Sequence, residues 1–142
     1  MFFLITACSV KPEPINYGTD ACYYCNMTIV DKTHASQVVT KKGKQFKYDA
    51  IECMVNDILK QNNEAELAVM QVANYSKPGE MIKTSQAHFF ISEAIKSPMG
   101  ANLTAVDTKE AAEKILSVQG GTRISWDELK EKITAQQNIN RN

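Results

Sequence analysis

The sequence predicts an α+β fold with two related halves of about 60 residues, each running strand, turn, strand, helix. Short alternating or β-branched segments bounded by turn residues indicate strands, whereas apolar residues spaced three and four apart indicate helices. The junction between strand and helix also recurs. Tyr48-Asp49 and Trp126-Asp127 each place an aromatic residue and an aspartate directly before a helical segment.

The first half, predicted at residues 20–75, contains one helix. Its strands are predicted at Met27–Val30, Ala35–Thr40, Gln45–Tyr48 and Leu67–Val72. Asp49 is predicted to cap the helix, because its carboxylate can accept hydrogen bonds from the free amides of the first turn. The helix carries a single apolar stripe, at Ile51, Met54, Val55, Ile58 and Leu59.

The second half, predicted at residues 76–135, begins at the turn Lys77-Pro-Gly-Glu80. Its strands are predicted at Ala87–Ile91, Ala101–Val106 and Thr122–Trp126. Asp107 or Thr108 should cap a helix that ends at Gly120-Gly121, and Asp127 should cap a last helix. The polar residues 136–142 predict a disordered tail.

Length, charge and cysteine count narrow the class of protein. The 142 residues suffice for one domain or two very small ones. The formal net charge of zero leaves no electrostatic footprint for nucleic acid, so no nucleic-acid partner is expected. The four cysteines are sparse for a disulfide framework. If Cys8 serves as an anchor, an odd number remains, which leaves at least one thiol free for chemistry.

The N-terminal segment ends in Ile5-Thr-Ala-Cys8, which resembles a bacterial lipobox. Lipidation of Cys8 would tether the protein to a bacterial membrane, on its outer, periplasmic side, through acyl chains and the proline-rich linker 9–19. No basic residue precedes Cys8, and the apolar run is short against the roughly 7–15 residues of a signal h-region. We therefore expect residues 1–8 to be a truncated lipoprotein signal.

Sulfur donors are concentrated in Cys22-Tyr-Tyr-Cys25-Asn-Met27. Thiolate and thioether sulfur are soft ligands that suit Cu(I). If this segment is extended, Cys25 and Met27 point to the same face, whereas Cys22 points to the other face unless the chain turns at Tyr23-Tyr24. We therefore predict Cys25 and Met27 as the principal copper ligands and Cys22 as an extra ligand or a redox guard. Met99, in a tight Ser-Pro-Met-Gly loop, is the predicted distant ligand.

Other meanings of Cys-x-x-Cys stay open. A closed zinc site needs four ligands, and Cys53 and His34 could complete a Cys₃His set as accessory residues. A redox dithiol of the thioredoxin kind sits at a helix N-terminus, whereas a β-branched run follows Cys25 here. Haem attachment needs a histidine where Asn26 stands. His34 follows the first predicted strand and is a surface residue, a ligand or a proton partner.

Three segments together resemble the NosL family of nitrous-oxide-reductase accessory lipoproteins, and the resemblance runs from about Asp20 to Leu129. They are Asp20–Met27, Phe46–Met54 and Ser97–Asn102. The resemblance implies two related ββαβ units. It also implies a non-enzymatic protein that binds one Cu(I) and supplies it to the maturation of nitrous oxide reductase, in denitrification, with an ABC-type machinery as partner.

Carried onto this sequence, the cysteine-methionine pair of the family falls on Cys25 and Met27, and its downstream methionine falls on Met99. Cys22 aligns with a position that is not always cysteine in the family. Tyr23 stands where many members have histidine, and Asn26 replaces a common glycine.

Overall fold

The structure, a computed structural model, describes residues 10–142. The predicted lipobox at residues 1–8 and the lipidation of Cys8 lie outside the described residues and stay predictions. Within the described range, no helix is both long enough and apolar enough to cross a membrane.

The first sheet has four antiparallel strands in the order β2-β1-β3-β4. These strands are β1 (Ser36–Thr40), β2 (Gln45–Tyr48), β3 (Leu67–Ala73) and β4 (Met81–Lys83). The chain leaves β2 through the helix α1 (Ile51–Gln61) and returns to β3 through one 3₁₀ turn, Glu64–Glu66. α1 packs against β1 and β2. This places the start of α1 at the end of β2, where the candidate site lies.

The second sheet has three antiparallel strands in the order β6-β5-β7. These strands are β5 (His88–Ile91), β6 (Leu103–Val106) and β7 (Thr122–Ile124). The helix α2 (Lys109–Gln119) connects β6 to β7, and α3 (Trp126–Ile139) follows β7. Leu129 and Ile133 of α3 are buried in the same core as Met54 and Ile58 of α1. The fold is therefore the predicted α+β class, and residues 10–142 form two antiparallel sheets and three α-helices.

The break between the two sheets falls later than predicted. Lys77-Pro-Gly-Glu80 is the turn between β3 and β4, and Gly79 adopts a φ of 87° in it. Because β4 pairs with β3, the first sheet extends past the predicted boundary at residue 76 as far as Lys83. The 3₁₀ turn Thr84–Gln86 then leads into the second sheet.

Two helices begin differently from the prediction. The N-cap of α1 is Ala50, whose side chain has no group that can cap the helix. The predicted cap, Asp49, lies one residue too early, and its carboxylate accepts from cysteine thiols instead. The cap of α3 is Ser125 rather than Asp127, which already lies within the first turn. Ser125 and Glu128 exchange hydrogen bonds in a capping box, which satisfies two free amides at once.

The ends of α2 and α3 give one confirmation and one correction. Thr108 caps α2, and Gly120 ends it with a φ of 74°, as predicted. The predicted tail is wrong for residues 136–139, because α3 continues to Ile139. The side-chain amide of Gln137 donates to Asn56 Oδ1 of α1 at 2.8 Å, which anchors this last part of the helix.

Candidate metal centre

The segment from Cys22 to Asn26 forms one tight turn. The Asn26 amide donates to the Cys22 carbonyl at 2.9 Å, and the Cys22 amide donates to the Met27 carbonyl at 2.7 Å. Asn26 has a φ of 66°, in the left-handed region that asparagine tolerates better than most residues. The Tyr23 amide donates to the Lys47 carbonyl at 2.9 Å, so the turn is fastened to β2.

The strand predicted at Met27–Val30 is therefore wrong. In its place, the described residues show one isolated antiparallel bridge, from Ala21 to Thr28, across the turn that contains the left-handed Asn26. The premise that Cys25 and Met27 share one face of a strand fails with it. The turn instead brings Cys22 and Cys25 together, and the Met27 side chain is 56% exposed.

Four donor side chains converge at this turn: Cys22, Cys25, Asp49 and Cys53. Their ligand atoms all lie within 4.8 Å of one another. Asp49 Oδ1 accepts from the Cys25 thiol at 3.4 Å and from the Cys53 thiol at 3.2 Å. Asp49 and Cys53 are four residues apart across the start of α1, which is the spacing that brings two side chains to one face of a helix.

The donor cluster has a buried interior and one surface member. Cys22 and Cys53 are each 1% exposed, and Asp49 is 3% exposed. Cys25 is partly exposed, so it forms the mouth of the cluster. Among the described residues, all three cysteines are free thiols rather than a disulfide pair.

The three thiols differ in acidity. The pKa of Cys22 is lowered to about 6, because the Cys53 thiol and the backbone amides of Cys25, Asp49 and Tyr24 donate to its sulfur and outweigh the effect of burial. Burial raises the pKa of Cys25 to about 11, and the charges of Cys22 and Asp49 act in the same direction. The pKa of Cys53 is raised well above its usual range by its hydrogen bond to Cys22, with burial adding to the effect.

One sulfur of the cluster is therefore prepared as a thiolate, and two remain thiols at neutral pH. The single Cys53 proton lies within reach of both the Cys22 sulfur and Asp49 Oδ1. A metal ion that bound all three sulfurs would displace the protons of Cys25 and Cys53. Of the two turn cysteines, Cys22 is the more acidic thiol and Cys25 is the more exposed one.

Met99 lies in a loop that is fastened to the same turn of α1. The Ser97 hydroxyl and the Ala101 amide both donate to Glu52 Oε1, and the Ser97 oxygen accepts from the Asn102 amide at 2.8 Å. Glu52 is 4% exposed and precedes Cys53 directly. The Met99 side chain is 44% exposed, so its thioether sits on a held loop at the surface.

Glu52 supports the site through its hydrogen bonds to the Met99 loop, a role that its sequence position does not predict. A glutamate in the first turn of a helix is ordinarily solvent-exposed, and its negative charge interacts favourably with the positive end of the helix dipole. The sequence carries no signal for its burial, which follows from the packing of the Ser97–Asn102 loop over the start of α1.

His34 is buried, so the prediction that it could be a surface residue is wrong. It is 2% exposed. Its Nδ1 lies 2.9 Å from Asp31 Oδ2, and its Nε2 lies 3.2 Å from Thr104 Oγ1. Both ring nitrogens are therefore engaged, and the converging donor cluster does not include this residue.

Two comparisons with known proteins found a match. The family model described as NosL matches residues 15–134. The crystal structure of the copper chaperone NosL from Shewanella denitrificans has a TM-score of 0.73 and 20% sequence identity to this chain, over 84% of this chain and 96% of that chain. This likeness shows a shared fold. No curated relative matches the sequence significantly.

Proposed function

Because the chain belongs to the NosL family, we propose that it is a Cu(I) carrier with no catalytic step. The observation that carries the proposal is the turn that brings the free thiols of Cys22 and Cys25 together, with Cys25 at the surface. Thiolates are the ligands that Cu(I) prefers. The relative with the same fold is described as a copper chaperone, which supports the same reading.

We place the transferable ion at the mouth of the cluster. Cys25 is the anchor, and it binds as a thiolate once Cu(I) displaces its proton. The exposed thioethers of Met27 and Met99 complete a low-coordinate sulfur site, and Cys22 offers a further sulfur from below. A carrier must bind tightly and still release its cargo. Exposed thioethers suit this, because a partner can replace them one at a time while Cys25 keeps hold of the ion.

An anaerobic Cu(I) titration against a chromophoric competitor tests the copper site. We expect one tight site in the reduced protein. Cys25→Ser should abolish tight binding, and Met99→Leu should weaken it about tenfold or more, which corresponds to about 1.4 kcal/mol. Met70→Leu, on β3, is the matched control and should leave the affinity unchanged. Unchanged affinity in both Cys25→Ser and Met99→Leu would refute the assignment.

The destination of the copper is a further part of the proposal. The resemblance to the family favours delivery to nitrous oxide reductase through its ABC-type maturation machinery, from a lipid anchor at Cys8 in the cell envelope. Labelling with an alkyne fatty acid should mark the full chain, and Cys8→Ser should lose both the label and the membrane association. Deletion of the gene should leave the reductase short of copper, and a reductase with full copper content would contradict the assigned client.

We also propose that the two halves are related ββαβ units. The support is that each contains two strands, a helix and a third strand, and that the first strand is central in each sheet. Superposition of residues 36–73 on residues 88–124 tests the relation, and a failure to align the strands with the same order and direction would contradict it.

A further inference from the structure

We propose that the donor cluster of Cys22, Cys25, Cys53 and Asp49 is also a four-coordinate site for a divalent d¹⁰ ion, with Zn(II) as the natural case. The ion and the donor set differ from those of the copper site. The copper site uses Cys25 with the exposed methionines, whereas the divalent site uses Cys25 with the buried interior. Cys25 is central to both sites, and Cys22, the further sulfur of the copper site, is also one of the four divalent ligands.

The geometry of the donor cluster suits a tetrahedral ion. Zinc binds sulfur at about 2.3 Å and carboxylate oxygen at about 2.0–2.2 Å, which separates neighbouring ligand atoms by roughly 3.5–3.8 Å. The four donor atoms already lie within 4.8 Å of one another. The two contacts from Asp49 Oδ1 to the Cys25 and Cys53 sulfurs, at 3.4 and 3.2 Å, are at that spacing or below it. An ion that replaced the thiol protons would require only small movements.

The presence of a carboxylate distinguishes the divalent ion from Cu(I). Zinc accepts sulfur and carboxylate oxygen in the same site, whereas Cu(I) selects soft sulfur ligands. The Asp49 side chain does not cap α1, and its hydrogen bonds are to thiols of the cluster. Its oxygen is therefore part of the donor cluster and has no competing structural duty at the helix start.

The charge of the cluster points the same way. Asp49 is 3% exposed, and none of the salt bridges among residues 10–142 involves it. A buried carboxylate beside several thiols is costly unless a cation compensates it. An ion of charge +2 offsets more of this negative charge than Cu(I) does, and it satisfies all four donors at once.

The donors are held by elements that do not need to rearrange. Cys53 lies in the first turn of α1, and Asp49 lies at the junction of that helix with β2. Cys22 and Cys25 are fixed by the bonds that close their turn and by the bond from the Tyr23 amide to Lys47. A preorganised set of four donors lowers the cost of binding a tetrahedral ion.

Because Cys25 belongs to both donor sets, the two ions should exclude each other. A chain loaded with zinc cannot offer Cys25 to copper, and the arrival of Cu(I) should release zinc. The Cys25 sulfur is both the anchor for incoming copper and the exposed ligand that closes the zinc site.

The test uses the reduced, metal-free full chain in a Cys8→Ser background, so that the remaining thiols are those of the cluster. Co(II) serves as the spectroscopic probe, and Zn(II) then displaces it. We expect one Co(II) per chain, with the visible bands of a tetrahedral ion and sulfur-to-cobalt charge transfer in the near ultraviolet. Adding Cu(I) to the zinc-loaded chain should release one Zn(II), detected with a chromophoric chelator.

Variants separate the two sites. Asp49→Asn and Cys53→Ser should weaken Co(II) and Zn(II) binding about tenfold or more and leave Cu(I) affinity unchanged. Met99→Leu should weaken Cu(I) binding and leave the affinity for Co(II) and Zn(II) unchanged. Thermal unfolding of each metal-free variant checks that it folds. If a variant does not fold, the ¹¹³Cd chemical shift of the Cys8→Ser chain counts the sulfur ligands directly, and three are expected.

Several results would overturn the inference. They are the cobalt spectrum of an octahedral ion, fewer than one Co(II) bound per chain, and unchanged zinc affinity in both variants. A ¹¹³Cd chemical shift that indicates only two sulfur ligands would also overturn it. Loss of Cu(I) affinity in Cys53→Ser equal to the loss of zinc affinity would assign Cys53 to the copper site and leave the copper proposal standing. Absence of tight copper binding together with an intact cobalt site would refute the copper proposal alone.

Discussion

The buried carboxylate of Glu52 gives the sharpest prediction about how the Met99 loop is held. Glu52→Ala removes an acceptor that receives hydrogen bonds from the Ser97 hydroxyl and the Ala101 amide. A hydrogen bond to a charged group contributes about 1.5–3 kcal/mol, and a donor left buried without a partner costs about 1–3 kcal/mol. The two lost bonds alone would therefore lower the free energy of unfolding by about 3–6 kcal/mol.

One feature of the structure reduces this figure. Glu52 Oε2 is buried without a partner, so the wild-type carboxylate already carries a desolvation cost that alanine removes. The bond from the Asn102 amide to the Ser97 oxygen is untouched by the substitution and adds nothing to the loss. We therefore expect Glu52→Ala to lower the free energy of unfolding by about 2–3 kcal/mol.

Urea denaturation of the metal-free protein measures this loss, with the slope of the transition unchanged. Hydrogen exchange should quicken at the amide of Ala101. Glu52→Gln is the matched control, because its side-chain oxygen can still accept both bonds, and it should stay within about 1 kcal/mol of the wild type. Wild-type stability in Glu52→Ala, or an equal loss in both variants, would refute the idea that acceptor geometry holds this loop.

Three further predictions concern the packing of α3, the N-cap of α3 and the charge of Asp31. Leu129→Ala empties a fully buried position between α3 and the core, and urea denaturation should show a loss of about 2–5 kcal/mol. Ser125→Ala removes the capping box of α3 and should cost about 1 kcal/mol in thermal unfolding. Burial acts to raise the pKa of Asp31, but hydrogen bonds from Thr33 and His34 outweigh it and lower the pKa. This carboxylate therefore stabilises the fold above its unfolded pKa of about 3.9, and the stabilisation is lost as the pH falls through the lower folded value. Asp31→Asn should be less stable than the wild type at neutral pH, and the difference should narrow below about pH 4 in urea titrations.

Each of these predictions has a clear contrary result. A loss below about 1 kcal/mol for Leu129→Ala would mean that α3 is not docked as described. Unchanged melting of Ser125→Ala would show that the cap contributes nothing. A stability difference for Asp31→Asn that stays constant from neutral pH to about pH 3 would assign the effect to packing rather than to charge.

Local features of the chain were readable because they depend on neighbouring residues. The apolar stripe of α1 predicted that helix, and Gly120 predicted the end of α2, since a left-handed residue commonly ends a helix. The segment Met27–Val30 misled, because its β-branched composition carries no information about the reversal at Asn26. Caps were also ambiguous. Asp49 and Ser125 each lie near a helix start, and the position of the backbone decides which residue reaches the free amides.

The candidate site divides along the same line. Residue type and spacing were enough to propose Cys22, Cys25, Met27 and Met99 as candidate ligands, because soft donors are recognisable without a fold. The structure brings Cys22 and Cys25 together, and the roles of the two methionines stay predictions. The sequence could not predict that Cys53 and Asp49 join the Cys22–Cys25 turn in one donor cluster. This depends on the hydrogen bond that holds the turn against β2 and on the residue at which α1 begins. Burial follows from packing between distant segments. It is burial that makes Cys25 the mouth of the cluster, Cys22 and Cys53 its interior, and His34 a buried structural residue.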